Sequence, residues 1–181
     1  MIIFLFGTWG CGKSYAGRKI EDNCHLQHLE ADLFFDEQMR QALIERTFHL
    51  LDLSDFTTRV ITEMQSYSRR ADNFVVSQAI YEEKYRRMIY DAFAPEIRFV
   101  WVRTIDEEIQ KMRLASRAEE HGNVITPEVY DYMMGFWDPP QLEHDVLVND
   151  ETLGVALPVL LHTYGMCMEW GPKKTSPFIE P

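Results

Sequence analysis

Apolar residues fall along this chain in two alternating rhythms. Ile2 to Phe6 is an unbroken apolar run, short enough to be a strand and apolar enough to be buried on both faces. From Tyr15 towards Ile20 the pattern allows a helix, and His28 to Ala31 forms a short extended candidate closed by Asp32. Between Asp36 and Leu51, the residues Met39, Leu43, Phe48 and Leu51 recur near the helical period. Asp52 to Ser54 breaks that helix, and Phe56, Val60, Ile61, Met64 and Tyr67 form a second helical stripe. Asn73 to Ser77 carries Phe-Val-Val, the mark of a buried strand. Tyr81, Tyr85, Met88, Ile89 and Phe93 then mark a helix stopped by Pro95. Ile97 to Val102 is the clearest later strand, and Asp106, Glu107 and Glu108 follow where a helix start favours negative charge. Thr126-Pro127-Glu128 opens another helix, with Thr as cap and Pro in its first turn, and Asp138-Pro139-Pro140 ends it. Val146 to Val148 offers a last strand, and Leu153 to His162 a closing helix.

Strands that alternate with helices, and that are apolar without strict alternation, predict an α/β fold. Its centre is a five-stranded parallel sheet with helices on both faces. No internal repeat or low-complexity segment interrupts the pattern. We expect one domain over residues 1–164 and a Pro-rich, polar tail over 165–181.

The turn after the first strand brings in chemistry. Gly7-Thr8-Trp9-Gly10-Cys11-Gly12-Lys13-Ser14 matches G-x-x-x-x-G-K-[ST], and it has the strand before it and the helix after it that a phosphate-binding loop needs. Glycines let successive backbone N–H groups curl around phosphate oxygens, and the helix N-terminus adds its positive dipole end. In this reading residues Gly7 to Tyr15 bind the nucleotide, Lys13 reaches the β- and γ-phosphates, and the Ser14 hydroxyl completes a Mg²⁺ shell. The three-layer arrangement then becomes a P-loop NTPase fold, with the loop at the carboxyl edge of the sheet. The strand containing Phe-Val-Val ends in Ser77 rather than in the aspartate an ATPase motor would place there, and no N-K-x-D guanine motif is present.

Charge narrows the partners. A net charge of −11 argues against a long nucleic acid or an anionic membrane surface. No apolar run is long enough to span a bilayer, the first strand begins at Met1 without a signal peptide, and three cysteines cannot pair completely; a cytoplasmic protein is the expectation. The six histidines lack the spacing of a zinc site. Cys11 stands at a helix N-terminus, which can activate a thiol, although a passive loop residue fits as well. Trp9, inside the loop, has no evident reason in the sequence.

Other motifs extend the reading. Val75-Val76-Ser77-Gln78-Ala79-Ile80 with Lys84-Tyr85-Arg86, Glu30-Ala31-Asp32 after the second strand, and Arg113-Leu114-Ala115-Ser116-Arg117 together resemble the gluconate kinases. With the phosphate loop they run over residues 1 to about 150, the extent of the gluconate- and shikimate-kinase-like family. The resemblance implies ATP and Mg²⁺ as cofactors, transfer of the γ-phosphoryl group to a hydroxyl of a small polar metabolite such as gluconate, and a lid at about residues 113–123. The chain departs from the family in having Glu30 where it usually has an aspartate, and in the acidic, polar run Glu119-Glu120-His121-Gly122-Asn123 in the lid.

Asp32 is placed to take the proton of an acceptor hydroxyl or to order a magnesium-bound water; capping the following helix is the alternative. Glu30, on the same side of the strand, is a second acceptor contact or a solvated strand end. Arg113 and Arg117 share a helix face and suit a clamp on the transferring group or stacking on adenine, with a plain basic helix end as the other reading. Lys13, Asp32 and Arg117 thus form the expected catalytic set. Arg86, with Arg40 and Arg59 behind it, is a candidate for an acidic group on the acceptor. A nucleoside, nucleotide or polynucleotide 5′-kinase and a nucleotide-dependent switch are the alternatives, and a homodimer stays open.

Overall fold

The structure, a computed structural model, describes residues 1–121 and 124–166. Five parallel strands, β1 (Ile2–Gly7), β2 (Gln27–Glu30), β3 (Phe74–Ala79), β4 (Ile97–Arg103) and β5 (Asp145–Val148), lie in the order β2-β3-β1-β4-β5. β1 is central and fully buried because every side chain in it meets apolar neighbours on one face or the other. Phe4 and Phe6 point into a core with Phe74, Val76, Phe99, Met64 and Ile89. Ile3 and Leu5 point the opposite way, into a core with Ala16, Ile20, Val100, Leu157 and Leu161. This two-sided burial is why the strand reads as a continuous apolar run.

The helices are α1 (Lys13–Cys24), α2 (Glu37–Ile44), α3 (Leu53–Ser68), α4 (Glu83–Phe93), α5 (Glu107–His121), α6 (Pro127–Met134) and α7 (Leu153–Thr163). α1 and α7 cover the face of Ile3 and Leu5, while α3 and α4 cover the other. A third apolar cluster joins Trp9 to α2, α5 and α6. The expected five-stranded parallel sheet with helices on both faces is therefore what forms.

Three local expectations change. The helix expected from Asp36 to Leu51 stops at Ile44: Arg46 adopts φ 58°, Thr47 N–H donates back to the Ala42 carbonyl at 2.9 Å, and Phe48–Leu50 is a separate 3₁₀ turn. Tyr81 precedes α4 rather than starting it. Thr126 occupies the N-cap of α6, yet its hydroxyl donates to Glu128 and leaves the helix amides uncapped. Residues 113–121 of the expected lid are the C-terminal half of α5; its residues 122–123, and residues 167–181 of the expected tail, lie outside the described residues. Among the described residues no helix is long and apolar enough to cross a membrane.

Candidate active site

The loop between β1 and α1 curls back over the carboxyl edge of the sheet, and Thr8, Trp9, Gly10 and Cys11 are each held by a side chain distant in the sequence. Thr8 Oγ1 donates to Gln110 Oε1 at 2.7 Å, and the same amide donates through Nε2 to Thr104 Oγ1 at 2.6 Å. The Trp9 N–H donates to the Tyr81 hydroxyl at 3.2 Å, Arg113 reaches the Gly10 carbonyl at 3.4 Å, and Asn149 Nδ2 donates to the Cys11 carbonyl at 2.9 Å. Gly12 has φ 100°, and a side chain there would collide with Asn149. Only glycine satisfies both demands. Lys13 is buried, and its ammonium donates to the Thr8 carbonyl at 2.7 Å, on the inside of the curl.

Trp9 now has a physical reason. Its ring is 8% exposed, lies edge-on to Tyr81 with centroids 5.4 Å apart, and packs among Leu43, Leu114, Val129 and Met133. The loop is thereby pinned to the layer formed by α2, α5 and α6. Cys11 is fully buried as a free thiol in the core beneath the loop.

Beside the loop, β2 delivers two carboxylates. Glu30 lies beside the Ser14 hydroxyl and pairs with Arg18 at 3.0 Å. Burial works against its ionisation, but the Ser14 hydrogen bond and the Arg18 charge outweigh it and hold the carboxyl below its ordinary range. Asp32 follows in a 3₁₀ turn, Ala31–Phe34, and does not cap a helix; Asp36 caps α2 instead, accepting from the Met39 N–H at 2.7 Å. Crowding by surrounding protein pushes the Asp32 carboxyl up, Lys13 pulls it down, and Glu30 adds to the rise. Its outer surface is open to solvent, so the direction reflects a crowded cleft wall rather than a closed core. Ser14, Glu30 and Asp32 supply hard oxygen donors, the set that suits Mg²⁺ shared with a nucleotide. Among the described residues no group of three or more His, Cys, Asp or Glu side chains could hold a metal by itself.

Gly12, Tyr15, Arg113, Arg117, Asn149, Asp150 and Glu151 line an open cleft of about 510 Å³ on the outer side of the loop. The structure thus gathers Lys13, Ser14, Glu30 and Asp32 on one side of the loop and Tyr15, Arg113 and Arg117 on the other. The other candidate arginines, Arg86, Arg59 and Arg40, are engaged elsewhere. Arg86 is completely buried, paired with Glu83 at 2.6 Å and donating to the carbonyls of Ile80, Tyr81 and Asp138. Arg59 pairs with Asp36 at 2.7 Å and Asp55 at 3.0 Å, and exposed Arg40 donates to the Phe35 carbonyl. Tyr81, Gln110 and Asn149, which hold the loop, were missed by sequence reasoning; only the buried polar pattern could have flagged them.

Residues 2–140 match the AAA domain family, from β1 to the segment before β5. The chain belongs to the AAA domain family. Its fold is similar to that of a sugar kinase from Janibacter sp. HTCC2649, with TM-score 0.70, 17% identity, and coverage of 91% of this chain and 94% of that one. A gluconokinase from Sinorhizobium meliloti 1021 gives TM-score 0.66 at 17% identity, covering 90% and 94%. Shikimate kinase from Acinetobacter baumannii, in complex with shikimate, gives 0.58 at 16%, covering 91% and 93%. At these identities the likeness is one of fold, and it is the P-loop kinase fold that the sequence motifs resemble. No curated protein matches the sequence.

Proposed function

We propose that the chain is a kinase that moves the γ-phosphoryl group of ATP onto a hydroxyl of a small polar metabolite. The observation that carries this reading is Asp32, whose carboxyl stands at the end of β2 within the field of Lys13 and beside the Ser14–Glu30 pair. In a kinase that place suits a proton acceptor for the attacking hydroxyl.

In this reading the backbone amides of residues 8–14 cradle the phosphates, and the Lys13 ammonium leaves the Thr8 carbonyl to neutralise charge on the transferring group. Asp32 takes the proton of the acceptor hydroxyl as its oxygen bonds to phosphorus and ADP departs. Mg²⁺, when bound with the nucleotide, would supply charge neutralisation to the phosphate groups. Ser14 and Glu30 would hold it, with Asp32 able to order a water. Arg113 and Arg117 flank the outer cleft, where the nucleotide base would lie, and the half of α5 that carries them closes over the site as a lid. The domain comprises residues 1–164.

Gluconate and related sugar acids are the first acceptors to try, on the strength of the motif resemblance. The test is ADP release from ATP and Mg²⁺ in the presence of sugar acids, shikimate, nucleosides and nucleotides. Release that depends on one acceptor class supports the kinase reading and names the class. Release that is indifferent to every acceptor replaces it with a hydrolytic switch.

A further inference from the structure

Behind the Ser14–Glu30 pair lies a second polar contact that the mechanism above does not use. His28 Nε2 and Ser77 Oγ share a hydrogen bond at 2.8 Å, and Ser77 is 3% exposed. Ser77 lies inside β3, which runs two residues further than the sequence suggested, and it pairs in register with Glu30 on β2 and Leu5 on β1. The His28 ring lies against Gly17 of α1 so closely that any side chain at Gly17 would strike it. Glycine inside a helix costs about 1 kcal/mol relative to alanine, so its presence fits a need for this approach.

The contact belongs to a continuous interface. Along α1, Ser14, Gly17, Arg18 and Glu21 fall on one face. Along β2, His28 and Glu30 point to one side. Glu30 meets Ser14 and Arg18, His28 meets Gly17 and Ser77, and the His28 N–H donates to Glu21 Oε1 at 3.3 Å. Burial holds the imidazole below its ordinary pKa, which favours the neutral ring.

We propose that His28 is a positioning residue: bonded to Ser77 and seated on Gly17, it fixes the height of β2 against α1 and so sets Glu30 on the Ser14 hydroxyl. The proposal rests on the reading of Ser14 as the magnesium-nucleotide hydroxyl. A residue that orients such a ligand from behind changes metal affinity by about 10- to 100-fold when removed.

Calorimetry with a non-hydrolysable ATP analogue, in excess Mg²⁺ and again in EDTA, gives the ratio of metal-loaded to metal-free affinity. His28→Leu should lower that ratio about tenfold, Gly17→Ala should lower it by displacing the ring, and His28→Gln, which can still bond Ser77, should restore most of it. Thermal melting of each variant records the loss of stability separately. Folded His28→Leu or Gly17→Ala proteins with the parent's ratio would overturn the proposal, whatever their melting temperatures. A parent that binds no nucleotide would instead remove the nucleotide reading itself, and this inference with it. The absence of any acceptor would touch neither measurement.

Discussion

Asp32 and Lys13 oppose each other at the scale of single residues, and the balance has a sign. Crowding raises the Asp32 carboxyl and Lys13 only partly restores it. A carboxyl whose folded pKa lies above its unfolded value contributes stability below the unfolded pKa, and that contribution is lost as pH rises through the folded pKa. At neutral pH the ionised Asp32, exposed on its outer side, therefore adds no stability of its own. Asp32→Asn should melt no lower than the parent at pH 7, with the difference closing as both are taken towards pH 3. Its phosphoryl transfer should fall about a hundredfold, the scale of a lost proton acceptor, while Mg·ATP affinity stays within a few-fold. Lower melting with full turnover would make Asp32 structural. Lys13→Ala should lose about a thousandfold in transfer and remain folded, because its charge acts on the transition state; near-normal turnover would defeat the central assignment. His28 runs with the other sign. Its lowered pKa means that stability is kept above the ordinary imidazole range and lost as pH falls through the folded value. Melting curves of the parent against His28→Gln, between pH 7 and 5, should diverge in the parent's disfavour as the pH drops.

Among the elements, those with two-sided burial were the most legible. β1, β3 and β4 announced themselves as apolar runs because both faces meet helices. β2 was harder to read, since it lies at the sheet edge and spends Glu30 on polar contacts with α1 and His28 on Ser77 of β3. The break after α2 was hidden because Arg46 takes a left-handed conformation without being glycine. The lid assignment belongs to this scale as well. Residues 113–121 form the end of α5, anchored at Leu114 in the cluster around Trp9, while Arg117 and Glu119 are exposed. If this half-helix closes over bound substrates, its amides should gain hydrogen-exchange protection with an ATP analogue and acceptor present, and Arg117→Ala should reduce turnover more than nucleotide affinity. Equal exchange in both states would leave α5 a fixed wall.

Across the whole molecule, what escaped the sequence is what joins distant parts of it. The groups that hold the phosphate loop lie 72 to 138 residues away from it, and no local pattern encodes such partners. Arg86 shows how far this matters. A Tyr-Arg motif at its position suggested an arginine facing the acceptor, yet burial is complete and the guanidinium stacks near Phe6 and Trp137, at 5.6 and 5.3 Å from their ring centroids. Its partner Glu83 also accepts the Leu142 N–H, and the Glu83 N–H donates to Asp138. Arg86 therefore clasps residues 80–83 to residues 138–142 and holds Tyr81 where it meets Trp9 of the loop. Replacing it with Met keeps much of the volume but strands the Glu83 charge and several carbonyls in the interior. Removing one partner of a buried pair costs about 3–5 kcal/mol. We expect Arg86→Met to lose stability on that scale in urea unfolding, and to weaken nucleotide binding in step, through Tyr81 and the loop. An arginine that bound the acceptor would behave differently: stability and nucleotide affinity would hold while the KM for the acceptor alone rose. That outcome would return Arg86 to the acceptor site and require the clasp to be dispensable.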